Sequence, residues 1–341
     1  MRLALTYPWC WPWVQRGGER LFADLGQWLV GAGHEVTVVT AAPAPRERTV
    51  DGSGRRVVRQ RALRSARLGI GQRQQAITYL PGAALALRRA RPDVVHGLFH
   101  LDGVAARLAG RRPYLVHVQG MPSRAVLERQ RIHRRLLPMS LRQAAAVLAV
   151  SEAAAAGLRD EFGIPAVAVL NGVFVEDFRA AAAGVEKSPE PTILFPGDPA
   201  DPRKRLPVLE EAVRQLAGEW PGVRLVVASP TPPSEMPAAY ARAWVTCLPA
   251  VKEAFGLVFI ESLAVGTPVV GVRDGGVPEV VHQPDWLAEP DDVDDLAARL
   301  HTALLASQAA DIADRCRAMA APFDWSVRGP AFEAIYRDVS S

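Results

Sequence analysis

The residues best able to do chemistry lie close together late in the chain. Lys252-Glu253-Ala254-Phe255-Gly256-Leu257-Val258-Phe259-Ile260-Glu261 is followed by Gly266-Thr267-Pro268-Val269-Val270 and then by Gly275-Gly276-Val277-Pro278-Glu279. Glu253 falls in a loop after a strand. Glu261, seven intervening residues later, falls inside the helix that Gly256 opens. A carboxylate is a bidentate acceptor suited to the vicinal hydroxyls of a sugar or a ribose, and the unpaired amides at a helix start suit phosphate. One short segment therefore carries groups for a sugar, a diphosphate and a ribose together. The plainer reading is an amphipathic helix whose Glu261 faces solvent; the flanking Phe-Gly and Gly-Thr-Pro pieces weigh against it.

Further groups of the right kind sit at strand ends. Lys204, in Arg203-Lys204-Arg205, lies between a strand ending at Phe195 and a helix starting at Leu206. Three adjacent cations there suit a departing nucleoside diphosphate, where negative charge grows as the bond breaks; otherwise they are a solvated basic turn. Gly17 and Gly18, ahead of the helix at Glu19, let backbone approach a phosphate, although no complete GxGxxG is present. His117 closes the run Tyr114-Leu115-Val116-His117, and His96 and His100 stand at another strand end. A lone histidine in such a place is often structural. Asp292-Val293-Asp294 has the spacing of a metal-binding Asp-x-Asp, but it opens a helix, where acids favour the dipole. With no other His or carboxylate cluster, no metal is expected.

The elements that must position these groups alternate between short apolar strands and amphipathic helices, the pattern of parallel α/β sheets. In the first half the strands are expected at Leu3–Thr6, Val36–Val39, Val57–Gln60, Val94–Gly97, Tyr114–Val118 and Ala146–Val150. Leu21, Phe22, Leu25, Trp28 and Leu29 mark one face of the first helix, which Gly31 and Gly33 stop. Ser151 reads as an N-cap for a helix ending near Gly163. The polar, alanine-rich stretch 176–191 has linker composition, so residues 1–175 form one domain and 192–322 a second. In the second domain, strands are expected at Thr192–Phe195, Leu225–Ala228, Ala243–Cys247 and Pro268–Val270, with helices at Leu206–Leu216, Gly256–Ala264, Asp291–Leu305 and about 308–320. Two doubly wound sheets joined this way offer a ligand cleft at their strand C-termini. A last helix, about Ser326–Asp338, is expected to leave the second domain and pack on the first, because Phe323, Trp325, Val327, Phe332, Ile335 and Tyr336 make an apolar set too large to leave exposed.

Composition narrows the class. At 341 residues and 49% apolar content the chain is globular and long enough for two cores. No run of about 18 uncharged apolar residues occurs, and Met1 leads straight into a strand without a signal-peptide pattern, so a cytoplasmic protein is expected. The three cysteines, Cys10, Cys247 and Cys316, are odd in number and widely spaced, which suits reduced structural thiols. The net charge of +4 hides an asymmetry: residues 1–180 carry +13 and the remainder −9. A basic first half suits an anionic acceptor or lipid head groups, or else reflects Arg spread over the surface. In Arg124–Leu137 a face with Arg124, Arg131 and Arg135 opposes one with Val126, Ile132, Leu136 and Leu137. An ordinary surface helix is the plainer reading, and peripheral docking at the inner face of a membrane the sharper one.

These motifs resemble the retaining GT-B glycosyltransferases of glycosyltransferase family four, also called glycosyl transferases group 1. The resemblance rests on Glu253-x7-Glu261, Gly17-Gly18-x-Arg20, Gly33-His34-Glu35-Val36, Pro92-Asp93-Val94-Val95-His96, His117, Ser151-Glu152 and Asn171-Gly172-Val173, and covers nearly the whole chain. It implies two Rossmann-like domains facing across a cleft, and transfer of a hexose-type sugar from a nucleoside diphosphate to an acceptor hydroxyl with retention. UDP is the commonest nucleotide in the family and the expected one here, with GDP or dTDP behind it; no cofactor beyond the nucleotide sugar is implied. Glu253 would contact the transferred sugar, Glu261 the ribose, and the amides of Phe255, Gly256 and Leu257 the phosphates. His117 would lie near the reacting sugar, and Lys204 would hold the diphosphate. The family's Gly-Arg pair is Gly197-Asp198 here, so Arg203 or Arg205 would supply the second cation. The segment Ser229–Arg242 is too short for the helix, strand and helix usual in the family, so the C-terminal sheet should lack one strand, near the nucleobase. A nucleotide-sugar epimerase or phosphorylase of this fold, or a catalytically silent binding protein, are the competing readings.

Overall fold

The computed structural model describes residues 1–9, 17–42, 47–61, 76–110, 113–124, 131–229 and 231–341. The chain forms two compact units: Met1–Gly172 together with Trp325–Ser341, and Val173–Asp324.

In the first unit the chain runs β1 (Arg2–Tyr7), α1 (Gly17–Gly31), β2 (Glu35–Ala42), β3 (Glu47–Val50), β4 (Arg56–Arg61), α2 (Leu80–Ala90), β5 (Val94–Gly97), α3 (Asp102–Leu108), β6 (Tyr114–Val118), α4 (Arg131–Leu141), β7 (Ala146–Ala149), α5 (Glu152–Phe162) and β8 (Val167–Ala168). Among the described residues the strands form one sheet in the order β3-β4-β2-β1-β5-β6-β7-β8. All pairs are parallel except β3 with β4. Every residue of β5 and β6 is buried, as expected of parallel strands covered on both faces. The Ser151 hydroxyl caps α5 by accepting from Ala154 N at 3.1 Å, and Gly163 ends that helix at φ +62°.

Of the Arg124–Leu137 segment, residues 125–130 lie outside the described residues, and so does Cys10. What is described favours the surface helix. Leu137 and Leu141 of α4 are buried, Arg134 and Arg135 are exposed, and α4 packs on α3. Arg124 is turned to the end of α5, where its Nε donates to the Glu161 carbonyl at 2.9 Å. Among the described residues no helix is long and apolar enough to cross a membrane.

The second unit begins with α6 (Val175–Ala181), so the first part of the stretch expected to be a linker is a helix belonging to this unit. Its buried Val175 and Phe178 explain why: an alanine-rich run forms a helix once two large apolar residues a turn apart have something to cover. There follow β9 (Thr192–Phe195), α7 (Leu206–Leu216), β10 (Arg224–Val227), α8 (Met236–Arg242), β11 (Val245–Cys247), α9 (Leu257–Val265), β12 (Val269–Val272), β13 (Leu287–Ala288), α10 (Val293–Ala306) and α11 (Ile312–Ala320). The sheet is parallel in the order β10-β9-β11-β12-β13. Between β10 and β11 the described chain makes a tight turn at Pro233–Glu235 and the single helix α8, with no strand. β10 is thus an edge strand, and its Val226 and Val227 are 43% and 36% exposed.

The last helix, α12 (Trp325–Ser340), belongs to the first unit. Trp325, Phe332 and Tyr336 are fully buried; Trp325 stacks on Trp28 with centroids 6.4 Å apart, and His34 Nε2 pairs with Glu333 Oε1 at 2.7 Å. Two members of the expected apolar set stand elsewhere. Val327 is exposed, and Phe323 is buried in the second unit against Phe255 and His282. Helical periodicity turns Val327 away from the stripe that Trp325, Phe332 and Tyr336 share.

Candidate active site

The loop between β11 and α9 carries Glu253, and neighbouring segments determine its shape. Lys252 takes a positive φ of 55°, and its N–H donates to Asp274 Oδ2 at 2.5 Å. The Glu253 carbonyl accepts from Gly276 N at 2.9 Å. Gly275, at φ +58°, lies so close to Glu253 that a Cβ there would collide with the Glu253 carbonyl oxygen. Gly256, at φ +92°, opens α9, and a Cβ there would come 2.6 Å from the Phe259 ring. Glycine is required at both positions by backbone conformation and by space. The result is a tight turn from Ala254 to Gly256 feeding the first turn of α9, whose leading N–H groups have no carbonyl of their own helix to bond.

The basic turn after β9 is tied to the same loop. Asp198, exposed, caps its own turn by accepting from Ala200 N at 2.9 Å. Residues Pro202–Lys204 then make a 3-10 turn, and the Arg203 carbonyl accepts from Val251 N at 2.9 Å. That backbone link brings Lys204 Nζ to Glu253 Oε2 at 2.5 Å, both side chains 21% exposed. The two neighbouring arginines differ. Arg205, at φ +56°, sends its guanidinium to Asp291 at 2.6 Å, on the side of α10. Arg203 bonds Asp201 at 2.6 Å; that carboxylate chiefly raises the guanidinium pKa, and Glu253 adds to the rise. Both arginines are thus paired with an aspartate, and Arg203 is the one whose guanidinium also feels Glu253.

Glu261 lies in the middle of α9, half-buried, and its Oε2 accepts from the Tyr240 hydroxyl at 2.8 Å. Reasoning from sequence missed Tyr240, as it missed Asp274. Nothing in a Pro-rich fourteen-residue segment announces a buried phenol aimed at a carboxylate, and only the packing of α8 on α9 discloses it. Asp292 and Asp294 hold helix ends together: Asp292 caps α10 through Asp295 N at 2.9 Å, and Asp294 accepts from Gln215 Nε2 at 2.9 Å. Among the described residues no group of three or more His, Cys, Asp or Glu side chains gathers as metal ligands.

In the first unit, Gly17 and Gly18 are the first residues of α1, while the loop 10–16 before them lies outside the described residues. A Cβ at Gly18 would come 2.6 Å from the Tyr7 hydroxyl, so glycine lets α1 start against the end of β1. His117 is fully buried in the middle of the sheet. Its ring stacks on His96 at 5.5 Å and packs against Phe332 at 5.8 Å. Burial first, and the neighbouring His96 second, push its pKa well below the usual value, so the ring is neutral. Burial brings His96 down to about 3; its Nδ1 lies 2.7 Å from the Tyr336 hydroxyl. A buried neutral ring suits shaping the strand end. At the start of α3, Asp102 is buried and accepts from the Tyr79 hydroxyl at 2.8 Å and Phe99 N at 3.1 Å, and burial raises its pKa to about 7.

Two Rossmann-like units, the second with a cation and a carboxylate paired beside a helix start, define a glycosyltransferase of GT-B architecture. Comparison with known proteins agrees: residues 15–177 match the family described as Glycosyltransferase Family 4, and residues 223–320 match Glycosyl transferases group 1. The chain belongs to glycosyltransferase family 4. It is 27% identical to a phosphatidyl-myo-inositol mannosyltransferase of Propionibacterium freudenreichii, over 98% of this chain and 94% of that one. Its fold is similar to sucrose-phosphate synthase of Thermosynechococcus elongatus, with TM-score 0.78 and 20% identity over 99% of this chain and 98% of the other. It is also similar to Anabaena HepE in complex with UDP-glucose, with TM-score 0.70 and 17% identity over 98% and 99%.

Proposed function

We propose that this glycosyltransferase moves a hexosyl group from a nucleoside-diphosphate sugar, with UDP as the nucleotide, to an acceptor hydroxyl with retention of configuration and without a metal ion. The observation that carries the reading is the Lys204–Glu253 pair, 2.5 Å apart on a glycine-clamped loop that runs into the start of α9. In this reading the diphosphate lies against the leading amides of α9, at Phe255, Gly256 and Leu257, and draws Lys204 to its oxygens. Lys204, with Arg203 beside it, neutralises the charge that grows on the leaving phosphate. Glu253, released from Lys204, accepts hydroxyls of the transferred sugar, and Glu261 accepts those of the ribose. The acceptor attacks from the face the phosphate leaves, and a phosphate oxygen takes its proton. His117 serves by shaping the sheet of the first unit, and Gly17 and Gly18 place backbone near the phosphates.

The UDP-glucose complex of HepE supports the choice of nucleotide. The mannosyltransferase relative, named for a phosphoinositide acceptor, supports an anionic or lipid-linked acceptor, as does the +13 charge of residues 1–180. The test is a thermal-shift series with UDP, GDP, dTDP and ADP, repeated with Glu253→Gln and Glu261→Gln. A ligand at about 100 times its dissociation constant should add roughly 2.7 kcal/mol to the folded state. UDP stabilisation that Glu261→Gln weakens and Glu253→Gln preserves or increases is the expected pattern. No stabilisation by any of the four nucleotides overturns the proposal.

A further inference from the structure

The shortened segment between β10 and β11 removes a strand and puts a helix against the donor half-site instead. Pro232, Pro233 and Pro237 start α8 abruptly, and its one large aromatic, Tyr240, is fully buried. The ring is held from both ends. At the backbone, Thr267 Oγ1 donates to the Tyr240 carbonyl at 2.9 Å. Thr267 is itself fixed, because its carbonyl accepts from Ser262 Oγ at 3.2 Å, and Ser262 Oγ lies 2.8 Å from Thr246 Oγ1, whose hydroxyl can donate to it. At the other end the hydroxyl donates to Glu261 Oε2 at 2.8 Å. The Gly266-Thr267-Pro268 piece thus anchors α8, and α8 anchors the carboxylate of α9.

We infer that Tyr240 is a positioning residue: it holds the Glu261 carboxylate in the single orientation that accepts the ribose hydroxyls of the donor nucleotide, and through it sets the preference for a ribonucleotide over its 2′-deoxy counterpart. The inference rests on the ribose reading of Glu261 given above. A glutamate on a helix has several rotamers, and a ligand that needs one of them must bear the cost of selecting it. A phenol on a fully buried ring selects it beforehand. A hydrogen bond to a charged group is the stronger kind, so its loss should be measurable in nucleotide affinity. Tyr240 itself, having no exposed surface, touches no ligand.

The experiment is calorimetric titration of UDP, GDP and their 2′-deoxy forms into the full chain, its Tyr240→Phe and Glu261→Gln variants, and the double variant. Tyr240→Phe keeps the ring and removes only the donor. It should weaken the bound ribonucleotide by about tenfold and the 2′-deoxy form, which keeps only the 3′-hydroxyl for Glu261, by less, so that discrimination between the two shrinks. The double variant should be no weaker than Glu261→Gln alone, because the hydroxyl acts through that carboxylate. The ratio of the two affinities is independent of the fraction folded and remains readable if Tyr240→Phe loses stability. An unchanged ratio in Tyr240→Phe, with Glu261→Gln weakening ribonucleotide binding, overturns the inference and leaves the ribose reading standing. Binding unaffected by Glu261→Gln removes the ribose reading and this inference together.

Discussion

Replacing Glu253 by Gln should tighten the binding of free nucleoside diphosphate while slowing transfer, two effects of opposite sign from one substitution. In the resting site the Glu253 carboxylate holds the Lys204 ammonium at 2.5 Å, with each side chain about one-fifth exposed. A diphosphate that claims Lys204 must displace that carboxylate and lie near its negative charge. Solvent-exposed pairs are worth about 0.2–1 kcal/mol, and this pair, better shielded than most, belongs near the upper figure. Freeing Lys204 is then worth about 1 kcal/mol to the diphosphate, roughly a fivefold gain in UDP affinity. Transfer loses the contact with the sugar proposed for Glu253, and removal of one preorganised group at a reacting centre costs about a hundred- to a thousandfold. Calorimetry with UDP and single-turnover release of UDP from the sugar donor measure the two separately. The gain in affinity should fade at high salt, where the attraction of Lys204 for the diphosphate is screened. UDP affinity and turnover that fall together by similar factors would refute the assignment of Glu253 to the sugar and of Lys204 to the phosphate.

Other consequences are as direct. Transfer should survive EDTA if, as proposed, Lys204, Arg203 and the α9 amides neutralise the leaving group; complete loss restored by magnesium or manganese refutes this. Trp325→Ala, at a fully buried position of α12, should cost about 3–5 kcal/mol by denaturant unfolding of the first unit; a loss below about 1 kcal/mol would mean that α12 is not anchored there. Stability should fall on acidification from about pH 6.5 to 4. Over that window the unfolded chain protonates the histidines that the fold keeps neutral by burial, His96 and His100 at about 3 and His117 also lowered. Asp102, raised to about 7, works the other way, since it gains a proton in the folded state over the same range. Asp102→Asn should therefore steepen the acid loss by about one proton, or roughly 1.4 kcal/mol per pH unit. Melting curves at half-unit intervals that show a shallower slope in the variant would overturn that sign.

How much of this molecule is written in local pattern depends on the length over which each signal acts. The strands at Val94–Gly97, Tyr114–Val118 and Thr192–Phe195, and the helix Leu206–Leu216, were legible to the residue, because a buried parallel strand and an amphipathic helix declare themselves within one or two turns of chain. The Glu253-x7-Glu261 block was legible for the same reason: Gly256 and Gly275 stand where backbone conformation admits little else. The short edge strands Glu47–Val50, Val167–Ala168 and Leu287–Ala288 were not, since two residues carry no period and Glu47-Arg48-Thr49-Val50 carries no apolar run. The helix Val175–Ala181 was mistaken for linker because alanine content says nothing of what Val175 and Phe178 cover.

By itself the sequence determined the class of fold, the pairing of two carboxylates with a helix start, and the loss of a strand between Val227 and Val245. Only the tertiary structure decided what each charge does. Arg205 turns to Asp291, while Lys204 reaches Glu253 because the Arg203 carbonyl is bonded to Val251 N. His117, a candidate by its place in a strand, is enclosed by His96 and Phe332, and Tyr240, unremarked in a Pro-rich segment, holds Glu261. Those outcomes rest on contacts between residues 21 to 215 positions apart, and on the burial that such contacts impose, neither of which a local pattern records.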